Sequence, residues 1–189
     1  MNIKRWLQAE SLPIILIASM VLTRFHHFGD VLHLPDASLA VFFFAGFYRK
    51  KALLGFLLVL AALIDAIAIK TGTSGWCVSP AYVFLIPTYA VMWFAGRYAT
   101  IFKSLQVLEM FKSVGLLILA SSLAFVISNG SFYLFSGKFG AMSFFNYVVA
   151  IEQYYFAYVG AALIYGVMGL AVVKLIKLLP ELLADHKSV

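Results

Sequence analysis

The sequence predicts an all-α membrane protein: a single domain over residues 1–189 with six transmembrane helices and both termini cytoplasmic. Three observations carry that expectation. Hydrophobic residues make up 63% of the chain and the mean hydropathy is +0.97, beyond the composition of ordinary soluble domains. Apolar runs recur six times, most of them near the ~20 residues needed to cross hydrocarbon. The Lys and Arg residues also alternate in number from one connection to the next.

The runs cover residues 6–22, 39–48, 52–69, 80–94, 114–127 and 154–173. The first follows Lys4 and Arg5, as in a secretory signal, but Thr23, Arg24, His26 and His27 follow where a small-x-small cleavage site would stand, so a retained helix is expected. The second is too short to span without residues 31–35, and that extension brings in His33 and Pro35, next to Asp36; a kinked entry is expected. The third contains Asp65, the one carboxylate inside an apolar run, about one helical turn before its end. Ser79 and Pro80 have the residue types of an N-cap and first helical position, so the fourth helix should begin there with Tyr82 in its first turn. The fifth is followed by a long aromatic segment, 128–153, within which 141–153 reads as a short interfacial helix bearing Asn146 and Gln153 on one face. The sixth offers Gly160, Ala162, Gly166 and Gly169 for close packing; beyond it residues 174–189 form a charged end interrupted by Pro180.

Charge fixes the orientation. If all six runs cross, eleven of the fourteen Lys and Arg residues fall on one side and only Arg24, Lys70 and Lys138 on the other. Positive residues favour the cytoplasmic side. The net charge of +6 is scattered and forms no phosphate-tracking cluster, which argues against nucleic acid; the lipid bilayer is the expected partner. No Walker motif is present, so the chain does not itself hydrolyse ATP.

The outer connections, 23–38, 70–79 and 128–153, then hold the only cysteine, Cys77, and three of the four histidines, His26, His27 and His33. A lone cysteine forms no intramolecular disulfide and cannot run a dithiol oxidoreductase cycle. Its position just ahead of a helix start favours the thiolate. Two readings stand for it: an inert small apolar residue, or a soft axial ligand for a metal cofactor. Asp65 likewise is either a functional intramembrane carboxylate or one that reaches interfacial water or Lys70. The aromatics of 128–153 are either a headgroup-level belt or the apolar walls of a pocket for a flat macrocycle.

The stretch Gly72-x-Ser74-x-x-Cys77-x-Ser79-Pro80-Ala81-Tyr82, preceded by Asp65 and set in a small six-helix protein, resembles the BtuM family of bacterial inner-membrane cobalamin transporters. That family is related to the substrate-binding S-components of energy-coupling-factor vitamin transporters. The resemblance implies an S-component-like bundle that binds cobalamin from the periplasmic side, with Cys77 as axial ligand of the corrinoid cobalt. It further implies cysteine-dependent decyanation of cyanocobalamin, in which the thiolate takes an axial position and cyanide leaves. Asp65 and Tyr82 then face the amide-rich rim of the corrin, with His26 or His27 on the opposite side and Asn146 and Gln153 as further contacts. In the first helix Ala18 is followed four residues later by Leu22, so the Ala-x-x-x-Ala docking pattern of many S-components is missing; transport with no obligatory energising module, or with a different docking surface, is expected. The competing readings are a carrier of another vitamin or of haem held by the outer histidines, a membrane enzyme with Cys77 as nucleophile, and a structural or assembly protein.

Overall fold

Six α-helices make up the computed structural model, which describes residues 3–26, 35–48, 51–72, 74–100 and 107–185, with side chains over 13–24, 35–48, 51–72, 74–76, 78–100 and 107–175. They are α1 (Ile3–His26), α2 (Ser38–Phe47), α3 (Lys51–Lys70), α4 (Leu85–Ala99), α5 (Val107–Phe135) and α6 (Phe144–Asp185). Two short 3-10 turns, Gly75–Cys77 and Pro80–Phe84, lead into α4. The described residues contain no strand. Among the described residues three helices are long and apolar enough to cross a membrane: α3, α5, and α6 over Phe144–Leu175.

α2 explains the short second run. It has ten residues, about 15 Å of rise, and all of them except Phe47 are buried. A helix that is apolar all round belongs inside other protein. It packs chiefly against α4 and also against α1, α6 and α3, and glycines mediate the contacts with α4 and α6. A Cβ on Gly46 of α2 would collide with the Trp93 carbonyl of α4, and one on Gly96 of α4 would collide with the Phe43 carbonyl of α2. The two backbones therefore touch where each lacks a side chain, as small residues allow. On the α6 side, a Cβ on Gly169 would meet the Phe44 ring and one on Gly166 would meet Leu117 of α5; Ala162 is fully buried, whereas Gly160 faces open space. Phe42, also fully buried, stacks on Tyr89 of α4 with ring centroids 4.2 Å apart and planes within 9°.

Three sequence expectations need correction. The connection between α5 and α6 is short, because α5 runs on to Phe135 and α6 already begins at Phe144. The polar residues that suggested a loop bond back to their own helix: Asn129 Nδ2 donates to the Phe125 carbonyl (3.0 Å) and Ser131 Oγ to the Ser128 carbonyl (2.9 Å). The segment 141–153 is accordingly no separate interfacial helix. Its helical part is the first turns of α6, where the Ser143 hydroxyl accepts from the Asn146 backbone N–H (3.2 Å) as an N-cap does. Pro180 does not interrupt the last helix, which continues to Asp185.

The start of the fourth element matches expectation in register. Pro80 stands at the first helical position and Ser79 has the extended backbone of an N-cap, but its side chain caps nothing. Gly72 closes α3 with φ of +113°, a conformation open to glycine, and Ser74 Oγ then accepts from the Trp76 N–H.

Candidate functional site: an arginine–aspartate cavity at one end of the bundle

Odd-numbered helices finish and even-numbered helices begin at one end of the bundle, where they surround a cavity of about 320 Å³. It is lined by Arg24 from the last turn of α1, Asp36 just ahead of α2, Asp65 near the end of α3, Ala81, Tyr82 and Leu85 at the entry to α4, and Ser128, Asn129, Ser131 and Phe132 from the last turns of α5.

Arg24 organises one wall. Its Nε donates to Asp65 Oδ1 (2.7 Å) and its Nη2 to Asp65 Oδ2 (2.6 Å), a bidentate pair joining residues 41 apart in sequence. Nη1 donates to Asp36 Oδ2 (3.3 Å), Ser38 Oγ (3.2 Å) and Tyr89 OH (2.6 Å). Arg24 and Asp65 are buried, at 7% and 8% exposure. A guanidinium out of water is tolerated only when paired and well hydrogen-bonded, and planar two-point contact with a carboxylate is the geometry it suits best. Its place at the carboxyl end of α1 adds the favourable pole of the helix dipole.

The surrounding groups are locked in turn. Asp36 Oδ1 accepts from the Ser38 N–H (2.8 Å) and Ser38 Oγ (2.6 Å), satisfying the first donors of α2. Thr23 Oγ1 donates to the Ser19 carbonyl and accepts from the Ala37 N–H (3.1 Å), pinning the chain before α2 to the end of α1. Tyr82 OH donates to Asp65 Oδ2 (2.6 Å), which couples the entry of α4 to the same carboxylate.

The facing wall comes from α5. Tyr147 OH of α6 donates to the Asn129 carbonyl (2.9 Å), and Phe84 stacks on Phe135 at 4.9 Å, fixing α5 against α6 and the Pro80–Phe84 turn. Around Ser136–Ser143 the aromatics pack on one another: Phe139 lies 4.8 Å from Tyr147 and 5.5 Å from Phe132, centroid to centroid. The Lys138 ammonium reaches across to the Gly75–Cys77 turn, sitting 3.6 Å from the centroid of the Trp76 ring and donating to the Trp76 carbonyl. The α3–α4 and α5–α6 connections are thus joined, one peptide bond from Cys77.

Of the residues singled out from sequence, Asp65 and Tyr82 meet in the cavity wall. Asp65 is paired with Arg24, not with Lys70. Cys77 ends the Gly75–Cys77 turn, and His26 is the last residue of α1; the side chains of both lie outside the described set, as does all of His27. Asn146 and Gln153 are exposed on the first turns of α6 and do not line the cavity; Gln153 Nε2 donates to the Ala150 carbonyl. Sequence reasoning missed Arg24, Asp36, Ser38, Tyr89 and Asn129. The signals for some of them were present: Asp36 stands two residues before Ser38 at the head of an apolar run, and Arg24 ends another.

Among the described residues no group of three or more His, Cys, Asp or Glu side chains could hold a metal ion. No protein-family model matches the chain, and comparison with curated proteins finds no match.

Proposed function

We propose that this chain is a six-span carrier of the bacterial inner membrane that takes up cobalamin, captured at the cavity end of the bundle with Cys77 as an axial ligand of its cobalt. One observation supports the reading above all. Asp65 and Tyr82, the two residues that flank Cys77 in the stretch resembling the BtuM family, share a 2.6 Å hydrogen bond in the wall of one cavity. The turn that ends in Cys77 leads directly into that wall, and Lys138 ties it to the α5–α6 connection.

Orientation follows from charge. Arg24 and Lys138 lie at the cavity end and Lys70 ends α3 there, so the end poor in basic residues is periplasmic and both termini are cytoplasmic. At about 320 Å³ the cavity is at the small end of ligand sites and admits a side arm of a corrinoid. The macrocycle itself would rest across the mouth, between the Cys77 turn and residues 136–143. In that seat the thiolate takes one axial position of cobalt, and cyanide leaves as the anion when cyanocobalamin is the form captured. With no Ala-x-x-x-Ala pattern in the first helix, the carrier works without a dedicated energising module.

The test is the visible spectrum of protein purified from cells grown with and without cobalamin. A corrinoid spectrum is expected only with the vitamin, and Cys77→Ser should shift it by altering cobalt ligation. A haem Soret band, or the absence of any corrinoid, would overturn the reading; a corrinoid spectrum unmoved by Cys77→Ser would remove the thiol from cobalt.

A further inference from the structure

We infer that the cavity is a seat for a neutral primary-amide arm and excludes the corresponding carboxylate, with Asp36 and Asn129 as the residues that set this choice. The inference rests on the uptake reading and names the chemistry the same site selects.

The first ground is charge. Among the described residues, the cavity wall carries one guanidinium, Arg24, and two carboxylates, Asp36 and Asp65. Pairing leaves one negative charge in excess, in a setting screened far less than bulk water. Asp36 is the more exposed of the two carboxylates: its side chain is 26% exposed, against 11% for Asp65. An anionic arm would add a second uncompensated negative charge beside it; a neutral arm would not.

The second ground is the inventory of hydrogen-bonding groups still free. A guanidinium has five N–H groups, and a carboxylate offers about four acceptor sites. Arg24 spends its Nε hydrogen and one Nη2 hydrogen on Asp65 and both Nη1 hydrogens on Asp36, Ser38 and Tyr89, leaving one Nη2 hydrogen. Asp36 accepts from the Ser38 N–H, Ser38 Oγ and Arg24, and Asp65 accepts twice from Arg24 and once from Tyr82, so each keeps one acceptor site. Across the cavity, Asn129 uses one Nδ2 hydrogen on the Phe125 carbonyl and keeps the other, together with its Oδ1. The groups left vacant on these four side chains, among the described residues, are therefore two donors, on Arg24 and Asn129, and three acceptor oxygens, on Asp36, Asp65 and Asn129. A primary amide, with one carbonyl oxygen that accepts twice and two N–H groups, satisfies both donors and two of the acceptors. A carboxylate has no N–H to give and leaves those acceptors facing its own oxygens.

Equilibrium binding of cyanocobalamin and its peripheral monocarboxylic acids to the purified protein at pH 7.5 tests this. Cyanocobalamin should bind, and at least one of the acids, the one that loses the seated amide, should bind roughly tenfold or more weakly. Asp36→Asn should cut that penalty to about threefold or less, since the wall becomes neutral. Asn129→Ala should weaken cyanocobalamin while leaving the acid little changed. If every acid binds as tightly as the parent, or if Asp36→Asn leaves the ratio where it was, the inference is wrong although the uptake reading stands. If cyanocobalamin itself does not bind, both fall. The comparison of acids on the wild-type protein needs no variant, so a loss of folding cannot hide the answer.

Discussion

Replacing Arg24 by Met is the perturbation that most directly tests the wall of the cavity. The change keeps an apolar stem of similar length but removes both bonds to Asp65 and the contacts to Asp36, Ser38 and Tyr89. Two carboxylates are then left facing each other, Asp65 almost wholly out of water. Breaking a buried pair by removing one partner costs about 3–5 kcal/mol. For a chain of this length each kcal/mol moves the midpoint by about 2–4 °C, so a fall of roughly 6–20 °C is expected. Circular dichroism at 222 nm in detergent follows the melt. Asp65→Asn should cost less, because the amide oxygen still accepts from Tyr82 or Arg24 and the guanidinium keeps Asp36. In the double variant the two losses should fall short of their sum by about 1 kcal/mol or more, since they remove the same interaction. An Arg24→Met protein melting within about 2 °C of wild type would refute the reasoning, because that shift corresponds to an exposed pair and not a buried one.

Gly46→Ala and Gly96→Ala should each destabilise by about 1–3 kcal/mol or more, since the added methyl meets a backbone carbonyl that cannot move aside. Gly55→Ala and Gly160→Ala, where a Cβ meets nothing, should be neutral or gain up to about 1 kcal/mol from helix propensity; thermal melts of the four distinguish packing from propensity. Tyr82→Phe removes one hydrogen bond to a carboxylate and should cost about 1.5–3 kcal/mol, less than Arg24→Met, and it should weaken cyanocobalamin binding in the same preparation. Lys138→Ala should speed amide hydrogen exchange in residues 74–78 and 136–142 by about two- to fivefold, as loss of an exposed cation–π contact predicts, with α2 unaffected.

The helix count was legible because hydrophobicity is a local signal: four of the six apolar runs lie within one observed helix, the run 39–48 passes the end of α2 by one residue, and the run 80–94 begins in the 3-10 turn that leads into α4. Asp65 was legible for the same reason, as an ionisable residue inside such a run. Its partner was not. Arg24 reads as a charge in a connection until α1 is seen to continue to His26, and nothing within a few residues of it points to a carboxylate 41 positions away. Asn129 was hidden by composition. Ser128, Asn129, Gly130 and Ser131 look like a turn, yet the described side-chain bonds return to the same helix and α5 carries Asn129 to the cavity. The opposite error befell Asn146 and Gln153, whose seven-residue spacing put them on one helical face without revealing that the face points away from the cavity. The positions of α2 and the Gly46–Gly96 crossing depend on tertiary packing alone.

The enclosure of α2 has a consequence for biogenesis. A segment of ten residues cannot bridge hydrocarbon about 30 Å thick by itself. When the ribosome has delivered α1, α2 and α3 to the insertion machinery, α4 and α6, which supply two of the walls around α2, have yet to be synthesised. Its seat, begun by α1 and α3, is complete only once those later helices arrive and Gly96 meets Gly46, so the final placement of α2 waits on segments translated after it.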